Sequence, residues 1–173
     1  MSKKALWEPS KKRIKGSNMK KFMDFVNARL YTEIQDYYAL YEWSVREIED
    51  FWESIWHFGN FEHSKAPEKI LERPDREDTD MFGAKWFKGA ELNFAENLLR
   101  FRDQKKAIIF RNEQGEQREL TYIELYNAVA KCAAGLRKLG VQKGDRVAGY
   151  ISNTPEAIIA MLAVSSIGAI WSS

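Results

Sequence analysis

LTYIELYNAVAKCAAGLRKLGVQKGDRVAGYISNTPEAIIAMLAVSSIGAIWSS, residues 120–173, decides the fold. Thr121 and Glu124 stand at the spacing of a capping box, in which a hydroxyl and a carboxylate each satisfy an orphan backbone N–H. Behind them Tyr122, Leu125, Tyr126, Val129, Cys132, Ala133, Leu136 and Leu139 fall on one helical face. Gly140 sits where a left-handed residue would stop that helix. Lys143-Gly144-Asp145 makes a turn, and Arg146 to Ser152 reads as a short strand of buried character. Thr154 is placed to cap a second helix, with Pro155 at its first position, where the missing N–H costs nothing. Glu156 to Ile167 is apolar nearly all round, which predicts deep burial. Gly168 ends it, and Ala169-Ile170-Trp171 begins another strand. Strand, helix and strand over so few residues require a parallel pair with a right-handed crossover, the unit of an open α/β sheet. Only Asn153 separates Ser152 from Thr154, so no glycine-rich phosphate loop joins strand to helix here.

Upstream, Ala107-Ile108-Ile109-Phe110 and Gln117 to Leu120 read as two strands of a hairpin, turning through Asn112 to Glu116. Asn93 and Glu96 cap a short helix expected to run through Phe101. Residues 60–85 are polar, with Pro67, Pro74 and an acidic cluster of Glu72, Asp75, Glu77, Asp78 and Asp80; they read as a long surface loop and the expected mobile part. Ser44 and Glu47 form a second capping-box pattern, with Trp43 and Ile48 at the positions of a hydrophobic staple. The helix predicted behind it, Val45 to Phe58, presents Ile48, Phe51, Trp52, Ile55 and Trp56 and stops at Gly59. Residues 18–30 form a helix with Met19, Phe22, Met23, Val26 and Leu30 on one stripe, and residues 1–16 an extended arm that Trp7 and Pro9 anchor. The chain is therefore α/β: a helical N-terminal extension, a β-hairpin, and the start of an open parallel sheet with packed helices. Its two parts are expected at 1–105 and 106–173.

Composition narrows the function classes. The 173 residues carry a net charge of +2, too balanced to steer the chain to nucleic acid or a membrane. The basic cluster Lys3, Lys4, Lys11, Lys12, Arg13 and Lys15 reads as a solvated terminus rather than a nucleic-acid arm. A single cysteine, Cys132, excludes an internal disulfide framework and fits a reducing, cytoplasmic setting. It lies on an apolar helix face, as an inert thiol would. The first residues lack the apolar core of a signal peptide, and Ala157 to Ile170 is too short to span a bilayer. His57 and His63 have no carboxylate or cysteine at ligand spacing. The acidic cluster lacks the glycine turn and closing glutamate of a calcium loop. The aromatic stripe of Trp52 and Trp56 reads as core packing rather than a ligand box.

The run from Leu120 to Ser173, with KLGV, KGDRV, PEAI, AMLA and IGAI at their spacing, resembles the N-terminal half of the adenylate-forming acyl-CoA synthetases. Trp86-Phe87-Lys88-Gly89-Ala90-Glu91-Leu92-Asn93-Phe94-Ala95-Glu96-Asn97-Leu98-Leu99 is similar to the entry segment of their short-chain, acetyl-CoA synthetase-like branch. Leu6-Trp7-Glu8-Pro9-Ser10, with Ser17-Asn18-Met19 and Phe22-Met23-Asp24-Phe25-Val26, narrows the resemblance to the members of that branch that use acetoacetate.

The resemblance implies an ATP-dependent ligase of lipid and ketone-body metabolism. A carboxylate attacks the α-phosphate of ATP, and the thiolate of coenzyme A then displaces AMP from the acyl-adenylate. Each step needs phosphoryl charge neutralised by a Gly/Ser/Thr-rich loop, Mg²⁺ and a lysine. This sequence offers none of them: Lys143, between Gly140 and Gly144, sits in a connector. No residue is assigned a catalytic, cofactor-binding or metal role, and ATP, Mg²⁺ and coenzyme A are expected to act on a longer parent rather than to bind this chain tightly. The chain reads as an N-terminal piece cut just after a core strand, inactive alone and prone to self-associate through the exposed edge. Two alternatives stay open: a piece of an acetyl- or propionyl-CoA synthetase, and a stand-alone interaction module.

Overall fold

A computed structural model of the chain describes residues 6–74 and 82–173. It separates into two units, one of residues up to 61 with 68–88, the other of residues 62–67 with 89–173.

The first unit is built on helices. Ser10 accepts from the Arg13 N–H and starts α1, Lys11–Lys15, so the expected extended arm is broken by a helical turn. Ser17 caps α2, Asn18–Leu30, through the Lys20 N–H at 3.1 Å. The side chain of Asn27 then holds the connection that follows. It accepts from the Ile34 N–H and the Thr32 hydroxyl, both at 2.8 Å, and donates to the Ile34 carbonyl.

Asp36 starts α3, Tyr37–Arg46, by accepting from the Ala39 N–H. The helix thereby begins seven residues before Ser44, and the capping box expected at Ser44 and Glu47 does not form. Ser44 is interior to α3 and its hydroxyl donates to the Tyr41 carbonyl at 2.7 Å. Helix α4, Ile48–Gly59, follows after Glu47, which gives it no side-chain cap. Trp43 is buried and meets the Phe51 ring at 6.0 Å, while Phe22, Met23, Val26, Ile34 and Leu40 complete the core. Met19, expected on the buried stripe, is exposed.

The expected loop over 60–85 also contains structure. Strand β1, Lys69–Glu72, pairs antiparallel with β2, Lys85–Lys88, and aligns Leu71 with Trp86. Each strand has four residues and charged ends, so neither is legible alone; pairing and the rings of α4 hold them. Leu71 is buried, Trp86 meets Trp52 at 5.6 Å, and Phe87 stacks on Trp56 at 5.3 Å. Phe87 has φ of 48°, a left-handed conformation rare for a bulky residue.

In the second unit Asn93 caps α5, Phe94–Leu98, which stops short of the expected Phe101. Strands β3, Lys106–Arg111, and β4, Gln117–Thr121, form the expected antiparallel hairpin. Helix α6, Tyr122–Lys138, carries the complete capping box. The Glu124 N–H donates to Thr121 Oγ1 at 3.3 Å, and the Thr121 N–H donates to Glu124 Oε2 at 2.8 Å. Gly140, with φ of 89°, closes α6: its N–H reaches the Arg137 carbonyl and the Val141 N–H the Leu136 carbonyl.

Strand β5, Arg146–Ala148, helix α7, Pro155–Ile167, and strand β6, Ile170–Ser172, form the parallel strand–helix–strand unit, with Val147 opposite Trp171. The core is Ala95, Leu99, Leu125, Val129, Ala133, Leu162 and Ala163. The α/β class of the sequence reading holds. Three burial expectations do not. Leu139 is exposed at the C-cap of α6, beyond the residues that pack on the core. The Arg146 to Ser152 run is mostly exposed, Tyr150 fully, because among the described residues its sheet has two strands and no further layer packs on that end. Helix α7 is buried at Pro155, Leu162, Ala163 and Val164, exposed at Glu156 and half-buried elsewhere.

Candidate functional site

In open α/β sheets, ligands bind in the crevice outside the carboxyl ends of the strands. Here β5 and β6 end together beside the first turns of α7. A cleft of about 260 Å³ lies there, walled by Ile151, Ile158, Met161 and Trp171, with Asn153 and Ser152 as its polar rim. Gly149 lets the two strand ends close up. A Cβ at that position would lie 2.3 Å from the Trp171 ring, and the Gly149 N–H donates to the Ser172 carbonyl.

The lining carries no charged side chain. Helix α7 does not supply the missing positive end either. Pro155 at its first position has no N–H to offer. The next residue, Glu156, places a carboxylate where an anion would sit. Its Oε1 accepts from Arg118 of β4 at 2.5 Å. Arg118, with a backbone N–H second, holds the Glu156 carboxyl at a pKa of about 2. A phosphate would have to displace a carboxylate already neutralised by arginine. The side chains lining the cleft in this stretch therefore offer no group that would hold Mg²⁺ or a triphosphate.

A second cavity, of about 310 Å³, is lined by Asn93, Glu96, Leu99, Arg102, Tyr126 and Ser166. Its polar groups largely serve the fold. Asn93 donates to the Ser165 carbonyl and accepts from the Glu96 N–H; the Ser166 hydroxyl donates to the Ala163 carbonyl. The Arg102 guanidinium stacks over Tyr126 at 3.9 Å.

The remaining candidates fall outside any site. Lys143 is exposed in its turn, and its stem lies against Gly168: a Cβ there would stand 3.1 Å from Lys143 Cγ. Cys132 is half-buried at the edge of the α6 core and makes no disulfide. His57 lies 3.9 Å from Glu53. No three His, Cys, Asp or Glu side chains gather in a metal-holding arrangement among the described residues. Of the acidic cluster, Glu72 accepts from Lys85 and Lys88, which hold its carboxyl below the usual range. Asp75, Glu77, Asp78 and Asp80 lie outside the described residues, as do Lys3 and Lys4. The Trp52 and Trp56 stripe packs on Trp86 and Phe87, as a core would. Sequence reasoning missed the Arg118–Glu156 pair. Nothing in the sequence marks two residues 38 apart as partners.

Residues 94–172 match the family described as AMP-binding enzyme, and residues 37–98 match the acetyl-coenzyme A synthetase N-terminus. The chain is 38% identical over its whole length to an acetoacetyl-CoA synthetase from Xenopus tropicalis, of which it covers 25%. It is 40% identical over 99% of its length to an acetoacetyl-coenzyme A synthetase from Rhizobium meliloti, of which it covers 26%. Among solved structures, the acetoacetyl-CoA synthetase from Streptomyces lividans superposes with a TM-score of 0.85 at 35% identity, over 98% of this chain and 26% of that one. The chain spans about a quarter of the length of the relatives it matches.

Proposed function

We propose that this chain, whose residues 94–172 match the AMP-binding enzyme family, serves as the N-terminal scaffold of an ATP-dependent ligase that joins acetoacetate to coenzyme A through an acyl-adenylate. One observation carries the substrate assignment: the likeness to acetoacetyl-CoA synthetases runs from the N-terminal arm through the last strand, at 38% identity over the whole chain. On this reading residues 1–105 are an extension of acetyl-CoA-synthetase type and 106–173 open the AMP-binding domain. The parent works in the cytoplasm on acetoacetate, ATP with Mg²⁺, and coenzyme A. The phosphate-neutralising groups belong to the part of the parent beyond this stretch, because the cleft at β5 and β6 is neutral and the α7 N-terminus carries Glu156. No residue here is given a catalytic, cofactor-binding or metal-ligating role.

The test is ATP–pyrophosphate exchange with acetoacetate, acetate and propionate as rival acids. A protein carrying this chain at the full length of its relatives is expected to exchange with acetoacetate, and the 173-residue chain alone with none. Loss of a single oxyanion-type donor costs about 10²–10³ in rate, and among the described residues no such donor is assembled. Exchange by the chain alone would overturn the scaffold reading. A parent active on acetate but not acetoacetate would retire the substrate. The unpaired edges of the two-stranded β5–β6 sheet also lead to self-association of the chain on its own, and a concentration-independent monomer in light scattering would refute that.

A further inference from the structure

The basic residues near the N-terminus gather around a groove. Pro9, Ile14, Met19, Met23 and Tyr37 line a cavity of about 520 Å³ in the first unit, mostly apolar. Met23 forms its buried floor, while Ile14, Met19 and Tyr37 stay 45–56% exposed at its rim. Arg13 and Lys20 stand in its wall. Lys11, Lys12 and Lys15 share α1 with Arg13, and Lys21 follows Lys20 on α2. Between residues 6 and 21 there are six cations against Glu8 alone, a local charge of +5 in a chain whose total is +2. Lys20 pairs with Asp24, and Lys11, Lys12, Lys15 and Lys21 have no ion-pair partner among the described residues. Asp36, the one acidic side chain in the lining, spends an oxygen capping α3.

We propose that this groove docks an acidic amphipathic peptide segment of a protein partner, which inserts one or two large apolar side chains between Ile14, Met19 and Tyr37 while its carboxylates face Arg13 and the lysines of α1 and α2. Two features favour a peptide over a lipid surface. The apolar area is concave, so it receives a side chain rather than entering a bilayer. Its floor is methionine, whose flexible thioether repacks around differing anchors. The mode is the helix-in-groove mode, in which anchors recur at i, i+3 or i+4, and i+7.

The experiment uses the full chain and a fluorescein-labelled 14-residue helical peptide with Leu and Trp anchors on one face and glutamates on the other, roughly two turns of anchors. The comparison peptide has the same composition scrambled. Fluorescence anisotropy is expected to give saturable binding of the first only, weakening about tenfold between 50 mM and 500 mM NaCl as the surface charges are screened. Arg13→Glu with Lys20→Glu should abolish binding, and Met19→Asp should weaken it at least tenfold. Arg13 and Met19 are exposed and Lys20 is partly exposed, and unchanged circular dichroism keeps the result interpretable. Equal binding of the two peptides, or affinity indifferent to charge reversal, would overturn the proposal. So would pelleting of the chain with vesicles of 30% phosphatidylserine at concentrations where the peptide does not bind. The same titration on a protein of the relatives' full length separates this from the ligase reading. Failure there, with exchange activity intact, removes the docking groove alone.

Discussion

Replacing Thr121 by alanine tests the hinge between hairpin and helix on which the second unit depends. The Thr121 side chain accepts from the Glu124 N–H and donates to Glu124 Oε2 at 2.8 Å, while its own N–H donates to the same carboxylate. Alanine removes the first two bonds and leaves the backbone one. Glu124 is exposed, so water replaces the lost acceptor, and the expected cost is the typical N-cap value of about 1 kcal/mol within a range of roughly 0.5–2. The second unit contains a single tryptophan, Trp171, against five in the first, so bulk fluorescence would mostly report the wrong unit. Hydrogen exchange of the α6 amides reads the right one. One kcal/mol is about a fivefold change in the opening equilibrium, so those amides should exchange about five times faster. Ser44→Ala is the matched control. There the hydroxyl bonds back to Tyr41 inside α3 and caps nothing, so the change should stay within about 0.5 kcal/mol. Equal effects at both positions, or faster exchange in α3 of the Ser44 variant only, would refute the assignment of the two patterns.

Two further outcomes follow from the unit built on β5, α7 and β6. Glu156→Gln removes the carboxylate that Arg118 and the start of α7 hold down at about 2. A depressed folded-state pKa contributes stability that is present above the unfolded value, about 4.3 for glutamate, and is lost as pH falls through the folded value. The pair is half-exposed, so screening limits the loss at pH 7 to about 1 kcal/mol. Denaturation series from pH 7 to 2 should show the native chain and the variant converging between about 4 and 2; a constant gap would show that the charge is not the cause. Gly149→Ala drives a methyl into the Trp171 ring, 2.3 Å from its ideal position, and overpacking of this kind costs about 1–3 kcal/mol. Exchange protection of the β6 amides should fall, and an unchanged pattern would mean that Trp171 does not close over the strand end.

The contrast between the two capping patterns shows what was legible in the sequence and why. Thr121 and Glu124 directly follow a strand, and nothing nearby competes to start the helix; local chemistry alone placed α6 and its Gly140 stop. Ser44 and Glu47 present the same spacing, but Asp36 captures the Ala39 N–H first and carries the chain helically past Ser44. A good cap is thus a local statement that an earlier cap overrides. The strand pair β1–β2 failed for the opposite reason. Its stability lies in Leu71 and in the rings of Trp52, Trp56, Trp86 and Phe87, contacts between segments far apart in sequence. The candidate site divides along the same line. Its position follows from the order strand, helix, strand, which periodicity reveals. Its neutrality does not, because that rests on Arg118 reaching across to Glu156 and on Trp171 covering Gly149. The absence of a glycine-rich loop argued only that a phosphate cradle was not written there. The geometry adds that the start of α7, the helix joining β5 to β6, already holds a carboxylate, which favours the proposed role of the stretch as a scaffold.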